Sequence, residues 1–162
     1  MIHGTRMLHA WGDETSTEAQ MIRAHCFQIR TNVFVTEQHV PCERELDEHD
    51  SSPTTCHLLL VDGAGTPLAT GRLLNPHSED GVTHLHVGRI AVSASGRGRG
   101  LGAALMAELE RVARRHYRGQ IILHLSAQEQ AIGFYERCGY TLLPGDPYDD
   151  AGILHRDMSK RV

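Results

Sequence analysis

The chain has 162 residues, of which 40% are apolar and 22% charged, and its formal net charge is −4. The length predicts one domain spanning residues 1–162, and the acidic excess argues against a nucleic-acid partner, which would favour a basic surface. No apolar run approaches the ~20 residues that cross a bilayer, and the N-terminus lacks the layout of a signal peptide. We therefore expect a cytoplasmic protein with no membrane partner.

Hydrophobic periodicity and turn residues predict these elements up to the centre of the chain: a strand near 5–11, a helix over 16–32, an acidic loop over 38–53, strands over 56–61 and 68–74, a turn over 75–81 and a strand over 82–92. The helix rests on apolar residues at helical spacing, among them Ala19, Ile22 and Cys26. The segment Asp62-Gly-Ala-Gly-Thr-Pro67 indicates a hairpin between the strands that flank it.

The remaining elements are predicted as a helix that begins directly after a glycine-rich segment, a strand over 121–125, a helix over 128–138, and strands over 140–143 and 153–158. Leu101, Leu105 and Leu109 lie on one face of the first of these helices, and Gly139 ends the second. The order β-α-β-β-β-α-β-α-β-β predicts an α/β (α+β) fold in which helices pack on a mixed sheet.

The glycine-rich segment Arg97-Gly-Arg-Gly-Leu-Gly102 connects the strand that ends at Val92 to the following helix. Its backbone N–H groups, the positive end of the helix dipole and two arginines can together bind a diphosphate. A P-loop would require Gly-Lys-Ser/Thr, whereas Gly100 is followed by Leu101 and Gly102. A dinucleotide fold is disfavoured because the fingerprint match stands alone and only about 60 residues follow it.

The residues around this segment resemble the GCN5-related N-acetyltransferase (GNAT) superfamily. The segment has the form Gln/Arg-x-x-Gly-x-Gly/Ala, it follows the strand Arg89-Ile-Ala-Val92, and Gln128-x-x-Ala-x-x-Phe-Tyr-Glu-x-Cys-Gly-Tyr140 is similar to a second segment of the family. Arg30-x-x-Val-Phe-Val-x-Glu-Gln-x-x-Pro41 and the tail over 148–158 are similar to the ElaA-like branch. The resemblance implies the GNAT fold, with a mixed, mostly antiparallel sheet that is splayed at its centre and flanked by helices.

The resemblance also implies an acyl-CoA-dependent N-acetyltransferase with acetyl-CoA as its cofactor. The enzyme would transfer the acetyl group to the primary amine of a small molecule by direct attack in a ternary complex, and a homodimer is left open. The implied cofactor-binding residues are Ile90, Ala91, Val92, Arg97, Gly98, Arg99, Gly100, Leu101, Gly102 and Gln128. Gln128 departs from the wider superfamily, which usually has Asn at this position.

Tyr135 is the leading catalytic candidate because the motif places it where a phenol can protonate the leaving thiolate. A core aromatic residue beside Phe134 is the alternative explanation. For the general base that deprotonates the amine, His155 is the first choice, His86 the second and Glu37 the third. A structural role is equally consistent with each of these three, and a water molecule could also relay the proton.

An acidic run over 43–50 forms the predicted loop, and most such runs are solvated surfaces. The functional hypothesis is that Glu37, Glu45 and Asp47 attract a cationic acceptor. The twelve histidines raise the question of a metal site, but His39, Cys42 and His49 lack a fourth ligand at a suitable spacing, so no metal is predicted.

Two other functional classes stay open on the sequence alone. A CoA-binding sensor would keep the glycine segment without the chemistry, although the presence of Tyr135 argues against it. An RNA-binding protein could use Gly-Arg-Gly-Arg-Gly, but the net acidity and the amphipathic helix that follows oppose this.

Overall fold

The structure is a computed structural model that describes residues 4–162. Within these residues, eight strands form one sheet: β1 (Thr5–Trp11), β2 (Cys56–Asp62), β3 (Pro67–Glu79), β4 (Val82–Val92), β5 (Gln120–Gln128), β6 (Thr141–Leu142), β7 (Tyr148–Asp150) and β8 (Ile153–Arg161). The α-helices are α1 (Thr17–Arg30), α2 (Cys42–Glu45), α3 (Leu101–His116) and α4 (Ile132–Arg137). A π-helix, Thr31–Glu37, continues α1. No helix over 4–162 is long and apolar enough to span a membrane.

The sheet has the strand order β1-β2-β3-β4-β5-β8-β6, with β7 paired to β8, and every pair is antiparallel except β4 with β5. The parallel pair joins only 82–86 of β4 to 120–124 of β5. Beyond His86 and His124 the two strands separate. The predicted mixed sheet, splayed at its centre, is therefore confirmed.

Two layers of helices cover the sheet because the strand residues alternate between its faces. Leu85 of β4 and Leu123 of β5 belong to the core cluster beneath α3, together with Leu105 of that helix. Leu59 of β2 packs on the opposite side with Ile22 of α1. Each fully buried leucine or isoleucine contributes on the order of 1.5–3 kcal/mol through the hydrophobic effect.

The predicted turn over 75–81 is wrong, since β3 continues to Glu79 and β4 begins at Val82. Only Asp80 and Gly81 form the turn, both with positive φ (50° and 77°), as a two-residue hairpin of this kind requires. Asn75, with φ 52°, lies where the pairing register shifts between β3 and β4. A bulge therefore takes up the irregular residues that the sequence suggested were a loop.

Three further boundaries differ from the prediction. The acidic loop over 38–53 contains α2 and a short 3₁₀ helix, Glu48–Ser51, whose N-terminus is capped by the Asp47 side chain. In the helix predicted over 128–138, Gln128 still belongs to β5, a 3₁₀ helix occupies Glu129–Ala131, and α4 itself begins at Ile132. Strand β7 was not predicted, since a strand of three exposed residues has no hydrophobic pattern to reveal it.

Candidate active site

The separation of β4 from β5 opens a cleft of about 1050 Å³. Residues of both strands form its walls, and the glycine segment, the π-helix and the β7–β8 turn contribute to its rim. Nine of the ten predicted cofactor-binding residues line this cleft: Ile90, Ala91, Val92, Arg97, Gly98, Gly100, Leu101, Gly102 and Gln128. Arg99 is exposed and is not among the lining residues, which leaves Arg97 as the arginine of the segment that faces the cleft.

The glycine segment has the backbone conformation that a diphosphate site needs. Gly98 and Gly100 both have φ +73°, and a Cβ placed on either would meet no atom within 4 Å, so the backbone is open to an approaching ligand. Gly100 is the N-cap of α3 and supplies no side-chain bond to the first N–H groups of that helix. These N–H groups and the helix dipole suit an anion, so the segment fits the diphosphate of coenzyme A.

The adjoining edge of β4 can accept an extended chain. Ala91 and Val92 pair with β3 on one side, while no strand within residues 4–162 pairs with them on the β5 side. The Val92 carbonyl accepts a hydrogen bond from Nε of Arg97 at 3.1 Å. An unpaired strand edge of this kind matches the amide groups of pantetheine, which can add to it as another strand would.

Tyr135 lies on α4, is 9% exposed and lines the cleft while its ring packs against Phe134 and Tyr140. Burial raises the pKa of Tyr135 to about 12. Its hydroxyl therefore keeps its proton at neutral pH and can act as a proton donor. A Cβ on Gly102 would lie 3.0 Å from the Phe134 ring, so close packing joins the glycine segment to the helix that carries Tyr135.

His155 lies on β8 between Gln128 of β5 and Tyr148 of β7, is 9% exposed and lines the cleft. Its Nδ1 is 2.7 Å from the carbonyl oxygen of Ile153. Because a carbonyl only accepts hydrogen bonds, Nδ1 must carry the hydrogen, and in the neutral ring Nε2 is then free to accept a proton. This geometry suits a general base.

His86, the second predicted base, is not among the residues that line the cleft, so the geometry favours His155 over it. His86 is exposed and packs with His77 and His124, at ring centroid distances of 6.4 and 5.5 Å. Partial desolvation of the ring, followed by the charge of His77, lowers the pKa of His86. Across 4–162, no group of three or more His, Cys, Asp or Glu side chains is arranged to hold a metal ion.

The acidic loop is tied to the sheet by buried ion pairs. Arg30 contacts Glu45 at 2.6 Å and Asp50 at 2.7 Å, and Arg72 contacts Asp47 and Asp50 at 2.7 Å each. Burial alone would raise the pKa of Asp50, but the bond and charge of Arg30 lower it to about 2. Because these carboxylates already have arginine partners, the geometry favours a structural role for Glu45 and Asp47 over the predicted contact with a cationic acceptor.

Glu37, the third predicted acceptor-binding acid, lies at the end of the π-helix and lines the cleft. Its carboxylate pairs with Arg97 at 2.5 Å, and the neighbouring Gln38 accepts a hydrogen bond from Gln128 at 2.7 Å. The end of the π-helix thus contacts both the glycine segment and β5. Glu37 lies at the cofactor side of the cleft, where its charge bears on the diphosphate site.

Comparison with known proteins agrees with this geometry. Residues 21–140 match the model of the acetyltransferase (GNAT) family. The chain belongs to the GNAT family. It is 38% identical over 134 residues to the uncharacterized N-acetyltransferase YjcF of Bacillus subtilis. The alignment covers 83% of this chain and 89% of that protein.

Solved structures of GNAT proteins resemble the whole chain. An acyl-CoA N-acyltransferase from Pseudomonas aeruginosa has a TM-score of 0.80 and 29% identity, and ElaA from Escherichia coli has 0.79 and 25%. Each alignment covers 96% of this chain and 99% of the other. The chain is therefore an acyl-CoA N-acyltransferase of the GNAT fold, and its predicted resemblance to the ElaA-like branch is confirmed.

Sequence reasoning missed one charged residue that lines this cleft. Arg89 immediately precedes Ile90 on β4 and adopts a positive φ of 53°. Nothing in the sequence marks it, because the positive φ arises from a register shift between β3 and β4.

Proposed function

We propose that the protein transfers an acetyl group from acetyl-CoA to the primary amine of a small molecule by direct attack in a ternary complex. The observation that supports this is that one cleft contains the glycine segment, the free edge of β4, Tyr135 and His155. A diphosphate site, an amide-binding edge, a proton donor and a proton acceptor are the groups that such a transfer requires.

At the donor end, the backbone N–H groups at the start of α3 and the Arg97 guanidinium bind the diphosphate. The free edge of β4 from Ile90 to Val92 orients the pantetheine amides. Bound acetyl-CoA supplies an activated thioester, which lets the reaction proceed without a covalent enzyme nucleophile. Cys138, the cysteine beside α4, has a pKa that burial raises, so its thiol is poorly suited to that role.

At the reacting end, His155 accepts a proton at Nε2 from the acceptor ammonium, which with a reference pKa of ~10 is otherwise protonated at neutral pH. The freed amine attacks the thioester carbonyl, and the bond between nitrogen and acyl carbon forms as the carbon–sulfur bond breaks. Tyr135 gives its hydroxyl proton to the departing sulfur. The proton on His155 returns to solvent, and the second proton, which the nitrogen loses as the amide forms, restores the Tyr135 hydroxyl through water.

The experiment that tests this function is a thiol-release assay with acetyl-CoA against amines, amino acids, polyamines and peptides. We expect CoA release that depends on one class of acceptor. Acetyl-CoA binding without CoA release across the panel would instead favour a CoA sensor. RNA binding, measured separately, would favour an RNA-binding protein.

His155→Ala separates the base from the rest of the site. We expect the rate of this variant to fall by about 10²-fold or more at neutral pH. It should recover partly at higher pH, where more of the acceptor amine is already unprotonated. A rate equal to that of the unmodified enzyme at both neutral and higher pH would remove His155 from this role.

A further inference from the structure

Arg89 has a strained backbone three residues beyond His86, the last β4 residue that pairs with β5. Its φ of 53° is in the left-handed region, which residues other than Gly, Asn and Asp rarely adopt. The β3–β4 register shifts between Thr70 and Arg72, so Arg89 lies in a bulge. Bulges near active sites serve to re-aim a side chain, and strain of this kind persists where the site uses it.

The contacts of Arg89 are weaker than those of the two buried arginines beside it. Arg30 and Arg72 contact carboxylates at 2.6–2.7 Å, with side chains only 1% and 5% exposed. Arg89 is 28% exposed, and its contacts with Glu45 and Asp47 are 3.3 and 3.4 Å long. Its other hydrogen bonds go to the carbonyls of Arg44 and Glu45 at 3.2–3.3 Å, and none from Nη1 is found within residues 4–162.

The charges of this cluster leave Arg89 poorly compensated. The carboxylates of Glu45, Asp47 and Asp50 are already bound at short distance by Arg30 and Arg72. Burial lowers the pKa of Arg89, and the charge of Glu45 does not offset that effect. The pKa of Arg30, by contrast, is raised in spite of its burial, because Asp50 and Glu45 bind it directly. Arg89 is thus a cation whose Nη1 donors have no partner within residues 4–162.

The position of Arg89 places its free N–H donors in the cleft where the acceptor would bind. It lines the same cleft as Tyr135 and His155, and it directly precedes Ile90, at the end of the free β4 edge that is farther along the chain from the glycine segment. The donor's diphosphate and the group that Arg89 binds would therefore lie at opposite ends of that edge.

We propose that Arg89 binds a carboxylate of the acceptor, so that the acceptor is an amino carboxylate such as an α-amino acid. The inference rests on the proposed function and names its acceptor class. The planar guanidinium pairs with a carboxylate through two parallel hydrogen bonds, which orients the neighbouring amine as well as binding it.

The other charges of the cleft favour an amino carboxylate over a polyamine. Among the described residues that line it, every carboxylate has an arginine partner: Glu37 with Arg97, Glu45 with Arg30, and Asp150 with Arg44. A polycation would have to displace one of these arginines. A carboxylate at Arg89 replaces only contacts that are already long.

Matched acceptors test the proposal in the thiol-release assay. Each α-amino acid is compared with its amide and with the amine obtained by removing its carboxyl group. We expect kcat/KM for the acids to exceed that for their matched amines by about tenfold or more. Equal or higher kcat/KM for the amines would overturn the proposal.

Three variants assign the effect to Arg89. Arg89→Gly removes the guanidinium and relieves the strain of the positive φ. Arg89→Lys keeps the charge but loses the planar group that can make two parallel hydrogen bonds. We expect kcat/KM for the acids to fall about 10- to 100-fold in Arg89→Gly and less in Arg89→Lys, with the amines changed less than about threefold. Arg114→Gln, on the exposed face of α3, is the control and should leave both unchanged. Equal losses for acids and amines in a folded Arg89→Gly protein would contradict the proposal.

A direct binding measurement distinguishes failure of the carboxylate site from failure of the proposed function. Isothermal titration of the amino acids into protein saturated with CoA needs no turnover. Binding that is lost in Arg89→Gly supports the carboxylate site even if the wild type releases no CoA, in which case the proposed function alone fails. Absence of binding for every amino acid, in wild-type protein that binds CoA, would overturn the carboxylate site.

Discussion

The two ends of the cleft that we propose for the donor and the acceptor are built in different ways. The proposed donor end comes from one continuous stretch, from Ile90 to Gly102, and the groups that would bind the cofactor there are mostly backbone N–H and C=O. The acceptor end is supported from behind by side chains far apart in sequence, because Arg30, Asp50 and Arg72 form a buried network that holds the loop carrying Glu45. A local backbone site can be recognised in a sequence, whereas a network of buried charges exists only once the chain has folded.

The difference extends to what each end contributes to stability. The glycine segment is open and exposed, so changes there should affect binding more than folding. The arginine network is buried, and removing one member leaves its partners charged and unpaired. The following variants test this contrast, from the largest expected effect to the smallest.

Arg30→Ala should lower the free energy of unfolding by about 3–5 kcal/mol, because Glu45 and Asp50 lose a buried partner at 2.6–2.7 Å. Urea denaturation measures this. Arg44→Ala, which breaks an exposed pair with Asp150 in the same region, should cost no more than about 1 kcal/mol. Similar losses in the two variants would mean that the acceptor end does not depend on its buried network.

Tyr135→Phe should reduce kcat by about 10²-fold, equivalent to about 2.7 kcal/mol, while the Kd for CoA changes little. The hydroxyl is lost but the ring, which packs on Phe134 and Tyr140, is kept. Steady-state kinetics and titration calorimetry provide the two readouts, with Tyr117→Phe as a control at the far end of α3. An unaltered kcat would assign Tyr135 to the core alone.

Stability should fall in acid through Asp50. Its pKa is about 2 in the folded protein and near 3.9 when unfolded, so its contribution is present above about pH 4 and lost as the pH falls towards 2. The contribution is about 2 kcal/mol. Asp50→Asn should flatten this part of the curve of unfolding free energy against pH. Asp146→Asn, at an exposed position, should leave the curve as it is, and a steep acid limb in Asp50→Asn would contradict the assignment.

Glu37→Gln should strengthen CoA binding by up to about fivefold, since it frees Arg97 and removes a negative charge from the diphosphate site. The Kd measured by calorimetry at low ionic strength tests this, because salt screens such exposed pairs. Glu43→Gln, also exposed but without an arginine partner within residues 4–162, should not change the Kd. Weaker CoA binding in Glu37→Gln would show that the carboxylate supports the donor site.

The sequence predicted residues that the fold brings to one cleft, because strand, glycines and helix are contiguous there and Tyr135 belongs to a second local motif; their roles stay predictions. It did not foresee that His86 lies outside the cleft lining, because His86 is the last β4 residue that pairs with β5 and the cleft opens only beyond it. It also missed α2 and the pairing of the acidic loop, since hydrophobic periodicity does not report on buried ion pairs. Arg89 could not have been found, because its strained φ arises from a register shift between two strands.

The most direct test of the acyltransferase assignment is the ratio of N-acetylated product to released CoA, measured by mass spectrometry with acetyl-CoA and the acceptor panel. We expect one acetylated amine for each CoA released, with both falling together in Tyr135→Phe. CoA release without an acetylated amine would indicate thioester hydrolysis. That result would contradict transfer to an amine in this cleft.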